Sequence, residues 1–523
     1  MAGRSPKGIL VAVFLWLFIL GGMAAAVRYF VMPEYQDKQR DRLADQTGSE
    51  GKYKIEARVA ADSFSGYAVL RTPALADRLG REGIRFSVID DGADYMKRMQ
   101  ALRDDEVDLA VFPVNSFIQC GARLGEFPAS IIYIIDETKG ADAIVANRKM
   151  VPGISSLDSP DARIVLTPDS PSEFLARVML ASFSLPRLPE KDWLVKADGA
   201  EEVFKQYRVE AAGKLRAYAL WEPYVSQALA EPGAHVLIDS SKLKGYIVDV
   251  LVARRQFLVD DYETIRKVLE CYARTAYENQ NKLPDLITAD AKSLGENIDN
   301  NSARQMAKGI EWKNTLENYA HFGLQENAAL ENIEDIIIKI TGVLLKTGAM
   351  ESNPLQGKES SLYFDKLLRQ MKDSDFHPGR EINVISGMDV GASDEKIRGG
   401  EKLKALNDSQ WNSLLTVGEL RVKPVAFGRG TARINVQSEH ELAALAGTLN
   451  SWPQYYLTVT GKVRAGGDEA AALKLAKERA DAVVRFLREK GVAAERIRSF
   501  SQIGESGGVG DQSVSFVVGQ LPY

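Results

Sequence analysis

The hydrophobic and polar positions divide this chain into stretches of different pattern. From Gly8 to Met32 every residue is apolar except Arg28. About 20 helical residues, rising roughly 1.5 Å each, cross a bilayer core, so the stretch predicts one N-terminal transmembrane helix over 8–32. Arg28 sits close enough to its end to reach the headgroups, and Tyr29 and Phe30 fall where an interfacial aromatic belt forms. Arg4 and Lys7 precede the stretch with no acid among them, so residues 1–7 are expected in the cytoplasm. A single-pass inner-membrane protein with the bulk of its chain in the periplasm follows. Ala24-Ala25-Ala26 leaves open a cleaved signal peptide, which sends the remainder to the same compartment.

Residues 33–53 are polar without an apolar face and are expected to form a stalk. From Lys54 short apolar strands alternate with amphipathic helices. Ile55–Val59, Arg85–Asp90 and Val107–Phe112 are predicted strands; Tyr67–Glu82 and Asp94–Arg103 are predicted helices. That alternation predicts a parallel sheet with helices on both faces, whose ligands lie beyond the carboxyl ends of the strands. Helices are expected over Asp260–Asn279, Leu283–Leu294, Asn301–Lys308 and Leu330–Lys346. From about Lys372 to Lys402 Gly, Asp and Ser accumulate, predicting an extended tether with at most a short strand near Ile382–Ile385. The pattern resumes after Trp411. Strands are expected over Val422–Phe427, Arg433–Val436, Tyr455–Thr460 and Gln512–Val518. Helices are expected over Glu439–Leu449 and Asp468–Lys490. The expected division is 1–7, 8–32, 33–53, a domain over 54–350, a linker over 351–414 and a last domain over 415–523.

Composition narrows the function. With 523 residues, several cores are expected, and the 45% hydrophobic and 26% charged fractions are those of globular protein. A formal charge of -5 and the lack of a basic run interleaved with aromatics argue against nucleic acid as a partner. His235, His321, His377 and His440 stand far apart, none with a second ligand at metal spacing, so no metal or cofactor is expected. The chain has no nucleophile elbow and no phosphate-cradling glycine loop, and an enzyme is not expected. Cys120 and Cys271 lie in apolar helical contexts and read as two separate buried thiols, a disulfide being the other reading.

The candidate chemistry lies at predicted strand ends. Ser170-Pro171-Ser172-Glu173 opens an apolar-periodic helix, as a plain cap or as an anion seat at the positive end of the helix. Phe64 and Trp221 each follow an apolar run, where an aromatic either packs in the core or stacks on a flat ligand. Asp136, Glu222 and Asp249 sit in or beside strand ends with few Lys or Arg nearby. Buried carboxylates require a partner, which points to an amine-bearing or hydrogen-bond-donating ligand over an inorganic anion. The alternative is that these acids cap helices or pair with arginines.

Several pieces, in order, carry a resemblance. They are Phe64-Ser65-Gly66-Tyr67, Val107-Asp108-Leu109-Ala110, Gly140 to Ala146, Ser170 to Phe174, Tyr218 to Pro223 and Ile247 to Val252. Over residues 54–350 the chain resembles the periplasmic solute-binding proteins of the nitrate, sulfonate and thiamine-precursor ABC transporter type. The resemblance implies two α/β lobes closing by a hinge on a small organic solute, and an ABC-type permease as partner. It implies a ligand-binding set of Phe64, Ser65, Tyr67, Asn115, Asp136, Ser170, Ser172, Trp221, Glu222 and Asp249. A related branch that makes a thiamine pyrimidine carries a cysteine-rich motif, which Cys120 alone does not match.

Ala426-Phe427-Gly428 with Ala432, Val459-Thr460-Gly461, Leu475 through Arg479-Ala480, Gly491-Val492 and Gly504-Glu505-Ser506 carry a second one. Over about 415–520 the chain resembles the α+β OmpA-like domain that grips peptidoglycan, so peptidoglycan is a further implied partner. Arg479 stands where that family's arginine pairs with a diaminopimelate carboxylate. Elsewhere the chain departs from the pattern: Val463-Arg464 replaces Thr-Asp, Ala472 replaces Asn, Ala476 replaces Ser, and Asp511-Gln512-Ser513 replaces Asn-Arg-Arg. An arginine in place of the aspartate reverses charge in the pocket and removes the acceptor for an ammonium. The whole reads as a solute-binding envelope protein for uptake or sensing. The alternative is a structural scaffold between inner membrane and envelope whose sites are degenerate.

Overall fold

The computed structural model describes residues 53–327, 330–380, 395, 403–464, 468–504 and 514–521. The anchor expected over 8–32 with its flanks 1–7 and 33–52, the strand expected near Ile382–Ile385, Glu505 and Ser506, and Asp511, Gln512 and Ser513 lie outside the described residues. Among the described residues no helix is long and apolar enough to cross a membrane. The described residues fall into two compact units, one of residues 53–57 with Ala76–Ser87, the other of Arg58–Leu75 with the described residues from Val88 onward. Within the smaller unit Lys54 donates its N–H to the Gly83 carbonyl at 2.7 Å. Gly83 has the left-handed φ of 75° that closing this turn requires.

In the larger unit two α/β lobes precede a C-terminal domain. The strands of the first lobe are residues 58–60 of β1 (Ile55–Ala60), residues 88–89 of β2 (Ile84–Ile89), β3 (Leu109–Pro113) and β4 (Ala129–Thr138). Those of the second are β5 (Asp142–Asn147), β6 (Arg163–Leu166), β7 (Leu194–Lys196), β8 (Arg216–Trp221) and β9 (Ala234–Asp239). The chain then re-enters the first lobe as β10 (Val248–Arg254), and β11 (Ile310–Trp312) joins it. β3 and β4 are buried along their whole lengths, as strands covered on both faces must be. Cys120 and Cys271 are both buried and are not bonded to each other.

The first sheet is mixed, unlike the parallel sheet that the alternation predicts. Val59 and Ala60 of β1 run parallel to β3, but β10 runs antiparallel to both β3 and β4. The cause is topological: the chain leaves this lobe through β4 and returns from the other lobe in the opposite direction. The second sheet has the order β7-β6-β8-β5-β9, with β5 antiparallel to both neighbours for the same reason. The two crossings, Lys139–Ala141 and residues 240–247, lie side by side. Gly140 donates its N–H to Ser240 Oγ at 2.7 Å and Thr138 donates to the Ile247 carbonyl at 3.1 Å. Paired crossings of this kind are where two lobes hinge.

The helix expected over Tyr67–Glu82 is broken. Ser65–Arg71 is a 3-10 helix, Thr72 is extended, and Pro73 opens a separate α-helix, since the residue before a proline is driven out of helical geometry. Helices Tyr262–Asn279, Leu283–Ser293, Asn300–Lys308 and Ile333–Lys346 stand where the periodicity predicts them. The fold continues past the expected boundary at 350. Leu362, Leu367, Leu368 and Met371 are fully buried, and Phe364 donates its N–H to the Ile131 carbonyl of β4 at 2.8 Å. Residues 351–380 read as linker because their few apolar positions sit among many charges, yet Leu367, Leu368 and Met371 are buried together from helix Lys366–Asp373.

The C-terminal domain contains β12 (Leu415–Glu419), β13 (Tyr456–Arg464), β14 (Ile497–Gly504) and β15 (Val514–Gln520) in the order β12-β15-β13-β14. Helices Val436–Asn450 and Glu469–Glu489 accompany the sheet. The strands expected over Val422–Phe427 and Arg433–Val436 are replaced by a single bridge between Phe427 and Ile434. Pro424 lacks the donor that a ladder needs. The domain docks on the second lobe. Phe183 stacks on Trp452 with ring centroids 5.6 Å apart and planes 26° apart, and Arg421 donates its N–H to the Ser182 carbonyl at 2.7 Å.

Candidate functional site

Between the lobes lies a cavity of about 290 Å³, at the small end of the range for ligand pockets. Its first-lobe wall is the loop after β1 and the 3-10 turn that follows, carrying Asp62, Phe64, Ser65 and Tyr67, with Tyr95 from helix Tyr95–Arg103 and Asp249 from β10. Its second-lobe wall is Asp142 at the start of β5, the segment Trp221–Tyr224 after β8, and residues 198–201. Parallel strands present their carboxyl ends to this opening, and the antiparallel β5 and β10 present their starts. That is how residues far apart in sequence meet here.

The β1 loop is held firmly. Asp62 accepts the Phe64 N–H at 3.0 Å, and Arg71 donates to the Asp62 and Phe64 carbonyls at 2.6 and 2.9 Å. Arg71 is itself fixed by Asp290 at 2.6 Å. Phe64 and Tyr67 meet edge to face at 5.2 Å.

The electrostatics of the cavity are one-sided. Asp62, Asp90, Asp142, Asp198, Glu201, Glu222, Asp249 and Glu296 line it, and among the described residues no lysine or arginine does. Asp62 is compensated from behind by the buried Arg98 at 3.0 Å. The other inner acids are not. Asp142 accepts a neutral hydroxyl bond from Ser172 Oγ at 3.0 Å, and burial pushes its carboxyl up to about 7. Glu222 accepts from the Ser226 N–H and Oγ, and burial raises it too. Asp249 is 1% exposed and its Oδ1 accepts no hydrogen bond from any described group outside the Asp136–Asp249 pair. Burial, and then the charge of Asp136 beside it, drive its pKa well above the usual carboxylate range. Burial pushes Asp136 up to about 8, so the pair shares a proton near neutrality. Lys313 lies nearby, but it is spent on Glu137 at 2.9 Å and Glu311 at 2.6 Å. Burial opposes ionisation of Glu137, yet Lys313 and Lys139 outweigh it and hold the carboxyl down at about 2.

Six of the residues expected from the sequence line the cavity: Phe64, Ser65, Tyr67, Trp221, Glu222 and Asp249. Four do not. Asp136 lies one layer below, with its Oδ2 packed against Gly66. Asn115 is buried where the lobes meet, 3.5 Å from the Ser170 carbonyl, beside Ser116 Oγ, which donates to the Asp169 carbonyl at 2.6 Å. Ser170 is a structural cap: its Oγ accepts the Glu173 N–H at 3.1 Å and donates to the Thr167 carbonyl at 2.7 Å. Ser172 is turned to Asp142. The helix start that the sequence offers as an anion seat is therefore filled by its own residues and faces a carboxyl group.

Sequence reasoning missed Asp62, Asp142, Tyr95 and Tyr224. Asp142 stood within the quoted Gly140–Ala146 segment, at the first position of a strand, where a polar residue at a buried end was the available signal. In the C-terminal domain Arg479 donates Nε to the Thr431 carbonyl at 3.1 Å and lies 5.0 Å over the Phe427 ring. Ala476 is buried against β13, and Gly461 is required there because a Cβ would lie 2.1 Å from the Ala476 carbonyl oxygen.

Comparison with known proteins gives two kinds of likeness. Residues 426–513 match the model of the OmpA family. Similar solved structures include the periplasmic aliphatic sulphonate binding protein SsuA from Escherichia coli, at 14% identity over 66% of this chain and 98% of that one, with a TM-score of 0.45. A putative periplasmic sulfonate-binding protein from Methylobacillus flagellatus KT is 11% identical over 62% and 96%, with a TM-score of 0.46. The periplasmic nitrate-binding protein NrtA from Synechocystis PCC 6803 is 12% identical over 61% and 88%, with a TM-score of 0.45. None of the curated proteins compared matches the chain.

Proposed function

We propose that this chain is a membrane-anchored envelope protein that captures a small organic solute between its lobes in the periplasm. Capture would serve uptake through an ABC-type permease or sensing, with the OmpA-like domain directed towards the cell wall. The observation that carries this reading is the cavity between two lobes joined by paired crossings, lined by aromatic and acidic side chains from both sides. Such a site opens and closes by bending two short segments without unpacking either sheet. The anchor over 8–32 rests on the apolar run alone; its benefit would be a high local concentration at a membrane partner. A peptidoglycan contact would run through Arg479.

Native mass spectrometry of the full chain, extracted from the envelope in detergent and not refolded, tests the reading. A mass excess that disappears on denaturation is expected, together with compaction in small-angle scattering when that solute is restored. An empty chain that does not compact with any component of a metabolite extract would overturn it. The alternative, an interaction scaffold, is favoured by one observation. The C-terminal domain keeps its fold while Ala472 and Ala476 stand where the peptidoglycan-binding pattern has polar groups.

A further inference from the structure

Resting on the solute-binding reading, we infer that the cavity takes an organic cation, its ammonium or amidinium head seated between Asp249 and Asp142 and its body against Phe64 and Trp221. Three independent features converge on this class. The first is Asp249 itself, a cavity-lining residue 1% exposed whose Oδ1 has no hydrogen-bond partner among the described residues. A buried acceptor left without a donor is destabilising, more so when charged, and a ligand N–H supplies the donor.

The second is the spending of the local cations. Arg98 is held by Asp62 and Asp91, and Lys313 by Glu137 and Glu311, so neither is available to Asp249 or Asp142. A sulfonate or nitrate placed here would meet carboxyl groups with no compensating charge. The third is the aromatic walls. Ring faces attract organic cations, most strongly when water is excluded. An ammonium also explains why these acids are gathered at the crossings. Asp142 begins the strand after one crossing and Asp249 lies just inside the strand after the other, so a cation between them ties the two hinge segments together.

Isothermal titration calorimetry of the full chain with benzylamine, benzyl alcohol and benzenesulfonate, matched in shape and differing in charge, tests the inference. Benzylamine is expected to bind at least tenfold more tightly than the alcohol, and the sulfonate not to bind. Asp249→Asn should weaken benzylamine at least tenfold while the melting temperature holds or rises, which separates a lost contact from a lost fold. Asp142→Asn should act in the same direction. Sulfonate binding equal to or tighter than amine binding, or benzylamine affinity unchanged in Asp249→Asn, overturns the cation inference and leaves solute capture standing. No binding by any of the three, with no molecule co-purifying in the native mass measurement, overturns both.

Discussion

Asp249 stands opposite Asp136 where β10 pairs with β4, and three of the pair's four carboxyl oxygens accept no hydrogen bond from any other described group. Without a ligand, the two carboxyls keep a proton near neutrality, where an exposed carboxylate would have lost it. A raised carboxyl pKa means that the folded chain binds more protons than the unfolded chain between the two pKa values. Its stabilising share is therefore lost as pH rises through the folded value.

The ligand-free chain should accordingly lose stability between pH 6.5 and 8, by about 1 kcal/mol per pH unit for each proton held. Asp142, up at about 7, and Asp136, up at about 8, titrate in that window. His321, which burial holds down at about 4, and His235, which burial lowers from 6.5, act below it with the opposite sign. Thermal melts at several pH values check this, and Asp249→Asn should flatten the slope. A stability that climbs from pH 6.5 to 8 would contradict the shared proton.

Trp221 and Phe64 are half-buried and line the cavity from different lobes. Trp221→Ala and Phe64→Ala should each abolish the mass excess carried by the native chain, with melting temperatures shifted by only a few degrees. Retention of the bound molecule in both variants would place the solute elsewhere.

Gly66 packs under the site so tightly that an added Cβ would lie 2.4 Å from Asp136 Oδ2 and 2.4 Å from Phe64 Cε1. Gly66→Ala should cost about 1–3 kcal/mol by overpacking. It should also displace Phe64 and weaken solute binding more than Asp136→Asn does. Equal binding in wild type and Gly66→Ala would show that the loop relaxes freely.

Phe183 is buried against Trp452 and against Gly418, where a Cβ would lie 2.6 Å from the Phe183 ring. Removing that ring should cost about 3–5 kcal/mol, as large aromatic deletions do. Phe183→Ala should therefore release the C-terminal domain from the second lobe. Small-angle scattering should report a larger radius of gyration while solute binding persists. An unchanged radius would mean that backbone bonds such as those from Arg421 to the Ser182 carbonyl, from Ser184 to the Glu419 carbonyl and from Lys244 to the Ser451 carbonyl hold the seam without the ring.

The local pattern of the sequence determined much of this protein. Alternating strands and helices are read from side-chain periodicity, a property of a few neighbouring residues, and so the lobes, the helical tail and the last domain's long helices were legible. That Phe64, Trp221, Glu222 and Asp249 line the cavity was legible because polar and aromatic residues at the ends of buried strands stand where the sheets open. The tertiary structure decided which of those ends face one another. It buried Asn115 at the lobe contact, made Ser170 a cap, turned Ser172 towards Asp142 and put Asp136 a layer too deep. It drew residues 351–380 into the first lobe and stacked Phe183 on Trp452. The physical reason is range. Periodicity is written between residues a few positions apart, whereas the charge balance of the cavity depends on Arg98 and Lys313 being taken by acids from distant strands, and only the folded chain brings those together.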